Sequence, residues 1–301
     1  MARTAHTFLL IIGGAEDRLG RATVLRRFVQ LAGGRKAAIV IIPSASSRPE
    51  QAVASYTAVL SRLGAPKVEV VDPPSRAGAA AKELAQAIDN ATGVFMTGGN
   101  QLKLSQLLVG TPLADAIAGA HARGAVVAGT SAGASIMSQF MISLGADGVT
   151  PRQRTGQLTS GLGLLPGVIV DQHFDQRARY GRLMSLVAGS PNLFGMGIDE
   201  DTAAEIRDGR MLTVVGSGTV FVVDARTAVS DAPEARRHAP LLISGAVVHS
   251  LPSGARFDLQ TAQLIGFVEK HPDVIVKASA KAPDDSGHAG SRESGGSPRT
   301  Y

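Results

Sequence analysis

The chain opens with a short apolar run, Phe8–Ile12, and returns to that pattern at Ala38–Ile42, Lys67–Val71, Val94–Met96 and Ala125–Ala128. Longer stretches of helical character separate these runs: Arg21–Ala32, Glu50–Leu63, Gly78–Ile88, Leu102–Leu108 and Leu113–Arg123, with Ala132–Phe140 after the fifth run. Strands alternating with helices at this spacing predict a parallel sheet covered by helices on both faces. The strand runs are continuous rather than alternating, as a doubly covered sheet requires. Aromatic residues make up only 4% of the 301 residues and Trp is absent, so Val, Ile, Leu and Ala must build the core.

The pattern changes after the sixth helix. Residues 144–167 are rich in Gly, Thr, Gln and Pro and read as an irregular excursion over the surface. Val168–Val170 resumes as a strand and Arg177–Leu186 as a helix. Phe194–Ile198, Ala203–Ile206, Leu212–Val215 and Thr219–Val223 then follow without long helices between them, which predicts a mixed or antiparallel extension. Leu241–Leu251 reads as a further strand or hairpin. Residues 1–278 are expected to form one catalytic domain. The tail 279–301, with Asp284-Asp285-Ser286-Gly287, offers nothing to pack and reads as disordered.

Composition removes several function classes. The absence of Cys excludes a disulfide framework, a thiolate nucleophile and a zinc site built on Cys. No apolar run approaches the roughly 20 residues of a membrane span, and Phe8–Ile12 is too short for a signal-peptide core, so a cytoplasmic location without membrane attachment is expected. The net charge of +5 permits nucleic-acid binding. However, Lys and Arg are scattered, and the one cluster, Arg177, Arg179 and Arg182, has no aromatic platform beside it.

Chemistry gathers at the ends of the apolar runs. Gly129-Thr130-Ser131-Ala132-Gly133 stands where a strand gives way to a helix. Small residues on both sides allow a sharp turn that projects the Ser131 hydroxyl, with the Ala132 amide aimed where an oxyanion would form. A serine nucleophile needs a base. Of seven histidines, His173 alone follows an apolar strand directly, in Asp171-Gln172-His173, at the edge where open α/β sheets place their sites. The base needs a carboxylate to orient it. Asp199, Glu200 and Asp201 end another apolar run at what the pattern makes the same sheet edge, and spacing does not choose among them. With any of the three, the order Ser, His, acid differs from the Ser, acid, His order of α/β-hydrolases. Thr97-Gly98-Gly99-Asn100-Gln101 fits either a second oxyanion donor or a helix cap at Asn100. Gly13-Gly14-Ala15-Glu16-Asp17 lacks the G-x-G-x-x-G spacing of a dinucleotide loop. Arg177, Arg179 and Arg182 suit carboxylate binding, although a solvated helix face has the same composition.

Seven segments in order, Gly-Gly-Ala-Glu-Asp at 13–17, Thr-Gly-Gly-Asn-Gln at 97–101, Gly-Thr-Ser-Ala-Gly-Ala-Ser at 129–135, Gly-Leu-Gly-Leu-Leu-Pro at 161–166, Asp-Gln-His-Phe at 171–174, Gly-Ile-Asp-Glu-Asp-Thr at 197–202 and Gly-Ser-Gly-Thr-Val at 216–220, closely resemble the cyanophycinase family. That family is related to dipeptidase E and more distantly to class I glutamine amidotransferases. The resemblance spans residues 8 to 260. It implies a three-layer α/β sandwich with a largely parallel central sheet, flavodoxin- and amidotransferase-like, ending in a mixed β extension. It implies a serine exopeptidase that degrades cyanophycin, a poly-aspartate with Arg on each side-chain carboxyl, to β-Asp-Arg; the dipeptidase E branch offers Asp-X or isoaspartyl dipeptides as the alternative. By the same resemblance Ser131 is the nucleophile, His173 the base and Glu200 its partner. Gly99 and Ala132 supply the oxyanion amides, and Gln101, Asp171, Gln172, Arg177, Arg179 and Arg182 line the substrate pocket. A homodimer without metal or cofactor is implied as well. Asn100 departs from the Asp common at that position.

Overall fold

The computed structural model describes residues 6–268 and 275–276; the expectation for the 279–301 tail lies outside the described residues. Five strands open the chain, β1 (Phe8–Ile12), β2 (Ala38–Ile42), β3 (Lys67–Val70), β4 (Gly93–Met96) and β5 (Val126–Thr130). They are linked by α1 (Thr23–Leu31), α2 (Pro49–Arg62), α3 (Lys82–Asp89), α4 (Gln101–Leu108) and α5 (Pro112–Ala122). All five strands are parallel, in the order β1-β5-β4-β2-β3. Side chains alternate along each strand, so a run with no polar position needs apolar cover on both faces. In β1, Leu10 and Ile12 pack with Phe28 of α1 and Leu60 of α2, while Leu9 and Ile11 pack with Leu104 of α4 and Ile117 of α5.

A single turn, α6 (Ala132–Ser135), replaces the expected helix to Phe140. The chain leaves the helical path because Phe140 to Leu144 is a better strand than helix. It forms β6 (Phe140–Gly145), paired antiparallel with β7 (Gly156–Ser160), so the expected irregular excursion contains one arm of a hairpin and the end of the other. Then come β8 (Val168–Gln172), α7 (Tyr180–Gly189), β9 (Phe194–Ile198), β10 (Thr202–Arg207), β11 (Met211–Gly216) and β12 (Thr219–Asp224). The remaining strands are β13 (Val229–Ser230), β14 (Ile243–Ser244), β15 (Val247–Pro252), β16 (Ala255–Asp258), β17 (Gln263–Val268) and β18 (Ile275–Val276). β10 pairs antiparallel with β1 and carries the sheet onward through β11, β16, β17 and β18, which is the mixed extension.

One sequence expectation changes here. The strands that end at His173 and Asp199 do not join the sheet of β5. They form a second sheet, β15-β12-β9-β8, in which β8 and β9 are parallel. Its Val170 and Ile198 pack toward α4 and α6, and its Ile169 toward Leu183 and Val187 of α7. Register then sets the site. Ile12 of β1 lies level with Thr130 of β5, and Gln172 of β8 level with Ile198 of β9, so all four strands end at one place. No helix among the described residues is long and apolar enough to cross a membrane.

Candidate active site

Ser131 sits between β5 and α6 at φ 52 and ψ −107. A left-handed φ is costly for a residue with a Cβ and persists only where the surroundings over-determine it. The Ser131 amide donates to the Ile12 carbonyl at 3.0 Å, and the Ser131 carbonyl accepts from Ala134 and Ser135. A Cβ on Gly129 would lie 2.2 Å from the Gly133 carbonyl oxygen, and one on Gly133 2.3 Å from that of Met96. The small residues around the turn are therefore required by backbone packing.

His173 Nε2 lies 3.0 Å from Ser131 Oγ, and His173 Nδ1 lies 2.6 Å from Glu200 Oε1. With Glu200 accepting the Nδ1 proton, Nε2 is left as the acceptor for the serine hydroxyl. The neighbouring acids are engaged elsewhere. Asp199 accepts from the Asp175 amide and from the amide and hydroxyl of Thr219. Asp201 accepts from the Asp17 amide and the Ser217 hydroxyl. Burial holds His173 protonation below the ordinary histidine range; the Glu200 hydrogen bond opposes this, and Arg177 and Arg179 push it further down. The imidazole is thus neutral at pH 7, the form a base needs.

The Gly13-Gly14 turn joins the two sheets. The Gly13 carbonyl accepts from the His173 amide at 2.8 Å, the Gly14 carbonyl from the Asp201 amide at 2.9 Å, and the Gly13 amide donates to Thr202 at 2.9 Å. A Cβ on Gly13 would lie 2.0 Å from the Asp199 carbonyl oxygen, and one on Gly14, at φ 106, would lie 2.3 Å from His173 Cε1. Only glycines let β1 come this close. The glycines after β4 come close in the same way. A Cβ on Gly98 would touch Ser131 Cβ at 3.3 Å, and one on Gly99, at φ 144, would strike the Ala45 carbonyl oxygen at 2.1 Å. Asn100 also caps α4, accepting from the Lys103 amide at 3.0 Å. The loop therefore caps the helix, as its sequence allowed, and its Gly98 lies against the serine. Ala132 opens α6, whose first amides have no intrahelical partner. With only four residues in that helix, local amides rather than a long dipole face Ser131.

The residues expected to line the pocket divide into two groups. Gln101 lines a cleft of about 690 Å³ together with Ser46, Gly99 and Lys103. Gln172 Oε1 lies 3.4 Å from Ser131 Oγ and accepts from Arg179 Nη1 at 3.1 Å. Arg177 is exposed. Asp171, Arg179 and Arg182 instead lie beneath the site, only 1%, 6% and 5% exposed. The Arg182 fork closes on both oxygens of Asp171, while Arg179 donates to the Gln172 carbonyl at 2.6 Å and to Asp147 at 2.9 Å. These ion pairs bury all three and make them a platform under Gln172 and His173.

A smaller cleft of about 300 Å³ opens directly on Ser131 and His173 and includes Ser46, Glu16, Arg18 and Tyr56. The last three were not legible as site residues. Glu16 had one signal, its place just past the glycine pair that ends β1. Tyr56, inside α2, had none. Among the described residues no group of three or more His, Asp or Glu side chains is placed to hold a metal ion.

The description of peptidase family S51 matches residues 9–214, which carry Ser131, His173 and Glu200. The chain belongs to peptidase family S51. Within it, the chain is 40% identical over 271 residues to the cyanophycinase of Trichormus variabilis, covering 89% of this chain and 91% of that one. It is 38% identical over 272 residues to the cyanophycinase of Geminocystis herdmanii, covering 89% of this chain and 100% of that one. In three dimensions it is similar to a peptidase from an acI-B1 Actinobacterium, with a TM-score of 0.61 at 21% identity over 85% of this chain and 98% of that one, which shows a shared fold. An S51 member is a serine-type peptidase, and the family resemblance of the seven segments agrees with these matches.

Proposed function

We infer that this S51 peptidase hydrolyses cyanophycin to β-Asp-Arg through an acyl-enzyme on Ser131. The observation that carries the chemistry is the unbroken relay Ser131–His173–Glu200 at 3.0 and 2.6 Å. The cyanophycinase relatives at 37–40% identity support the substrate. Ser131 Oγ attacks a backbone carbonyl of the poly-aspartate while His173 Nε2 takes its proton, and Glu200 stabilises the imidazolium that results. The amides of Ala132 and Gly99 stabilise the oxyanion. His173 then protonates the leaving amine, and a water deprotonated by the same nitrogen releases the acyl group. Gln172, held by Arg179, packs beside the serine hydroxyl. The adjoining cleft at Gln101 shares Ser46 with the catalytic cleft and gives a chain longer than a dipeptide somewhere to lie. A cytoplasmic homodimer acting without metal or cofactor is part of the same proposal, and sedimentation equilibrium tests the dimer.

The test is product analysis on purified cyanophycin, with Asp-X dipeptides assayed in parallel. Release of β-Asp-Arg by wild type and none by Ser131→Ala is expected. Turnover of Asp-X dipeptides with none of the polymer would place the chain with dipeptidase E-like substrates instead.

A further inference from the structure

The catalytic cleft holds a buried negative charge that the relay does not use. Glu16 is 4% exposed and lines the cleft beside Ser131. Its carboxylate accepts from the Tyr56 hydroxyl at 2.5 Å and from the Thr130 hydroxyl at 2.6 Å. Both donors are neutral. Burial and the adjacent Glu16 charge push the Tyr56 phenol well above its ordinary range, so it remains a donor and not a second anion. Other buried carboxylates of this chain meet a cation: Asp171 holds Arg182, Glu205 holds Arg27 and Asp258 holds Arg210. Asp199, without one, is engaged by three N–H and O–H donors. Among the described residues Glu16 has no ion pair. Arg18 lines the same cleft, but its guanidinium lies over the Tyr56 ring, 5.4 Å from the centroid, and donates to Ser55 Oγ at 3.2 Å.

A carboxylate has about four acceptor positions, and two hydroxyls fill only two of them. A buried charge is costly unless paired. Glu16 thus has acceptor capacity and uncompensated charge facing the space next to the nucleophile. Cyanophycin presents a matching group, because each arginyl branch is tied through its α-amino nitrogen and leaves the guanidinium free.

We propose that Glu16 is a specificity-determining residue that receives the guanidinium of the arginyl branch on the unit being cleaved. The assignment rests on the cyanophycin reading above. It makes Tyr56 and Thr130 positioning residues that hold the carboxylate toward the cleft, and it puts charge selection within reach of Ser131.

The test is calorimetric binding of β-Asp-Arg and β-Asp-citrulline, its neutral isostere, to the Ser131→Ala protein. A charge-assisted contact predicts a preference for Arg of about 30-fold. Adding Glu16→Gln should bring the ratio to within about threefold of one, since the charge it removes is the source of the preference. Should that variant not fold, Glu16→Asp draws the carboxylate back by one methylene and should likewise bring the ratio to within about threefold of one. Equal binding of the two dipeptides by Ser131→Ala overturns the proposal, as does a preference that survives the variant read. Polymer turnover is measured separately. Glu16-dependent binding without release of β-Asp-Arg from cyanophycin would overturn the proposed function, and with it the cyanophycin branch as the group Glu16 receives, while leaving the guanidinium contact itself standing. Cyanophycin hydrolysis with a Glu16-independent preference would overturn the assignment alone.

Discussion

Adding one methyl group at Gly14 should disable the relay without substituting any of its three members. The Gly14 Cβ would stand 2.3, 2.5 and 2.9 Å from Cε1, Nε2 and Nδ1 of His173. Ordinary contact begins near 3.4 Å, so the ring must retreat by roughly 1.1 Å or the β1 turn must move. Neither is easy. The ring is tied at one end to Glu200 and at the other to Ser131, and the turn is held by the His173, Asp201 and Thr202 backbone. A retreat of that size stretches the 3.0 Å contact to Ser131 Oγ beyond hydrogen-bond range. Misplacement by about 1 Å costs about 10²-fold in rate, and full loss of the base about 10³-fold or more. Gly14→Ala is therefore expected to lower kcat by about 10²- to 10³-fold, with a smaller change in KM. Its φ of 106 adds backbone strain of about 1–3 kcal/mol, read as a lower Tm. Gly34→Ala is the matched control. It also has positive φ, 60, but nothing lies within 4 Å of the added Cβ, so it should show mild destabilisation and near-normal kcat. Steady-state release of β-Asp-Arg and thermal melts check both. A Gly14→Ala enzyme with kcat within about threefold of wild type, an effect far below the predicted loss, would refute the steric argument.

Three further outcomes follow from the same geometry. His173→Ala should lose about 10³-fold or more in kcat with little change in thermal melting, and near-full activity would remove the base assignment. The acid limb of kcat/KM should lie below the ordinary histidine range, because burial and the two arginines disfavour the imidazolium. Arg177→Gln removes one of those positive charges, so protonation becomes easier and the limb moves up; because Arg177 is exposed, the difference should vanish near about 1 M salt, and a pH–rate series at low and high salt checks both. Asp171→Asn leaves Arg182 charged and buried without its carboxylate, and should cost about 3–5 kcal/mol by urea denaturation; a loss under about 1 kcal/mol would show that the pair is not the support described.

Ser131, His173 and Glu200, which the structure brings together, stand out because each follows an apolar strand, and a strand end in an α/β protein is where side chains reach a common edge. Glu200 was legible through the family resemblance but not by spacing, since Asp199 and Asp201 differ from it only in where their backbone points. What separates them in the structure is contacts of Asp199 and Asp201 with Thr219, Ser217 and Asp17, all distant in sequence. Sheet membership was hidden for a related reason. β8 and β9 read like the strands before them, and nothing in an apolar run says which neighbour it pairs with. The ion pairs of Asp171, Arg179 and Arg182 were hidden because an exposed charge and a buried, paired one are the same letter. Glu16 reads in the sequence as part of a turn; its partners are hydroxyls 40 and 114 residues away.

The position of β1 has a consequence for synthesis of the protein. It precedes the other described strands, yet it lies between β5 and β10, and its last residue and the two glycines after it accept the amides of Ser131, His173 and Asp201. A nascent chain that has emerged only as far as Gln172 holds the nucleophile and most of the parallel sheet, but β1 is still unpaired on one edge. Such separated pairings form slowly and late. Peptidase activity is therefore expected to await β10: Thr202–Arg207 must leave the ribosome before β1 is paired on both edges.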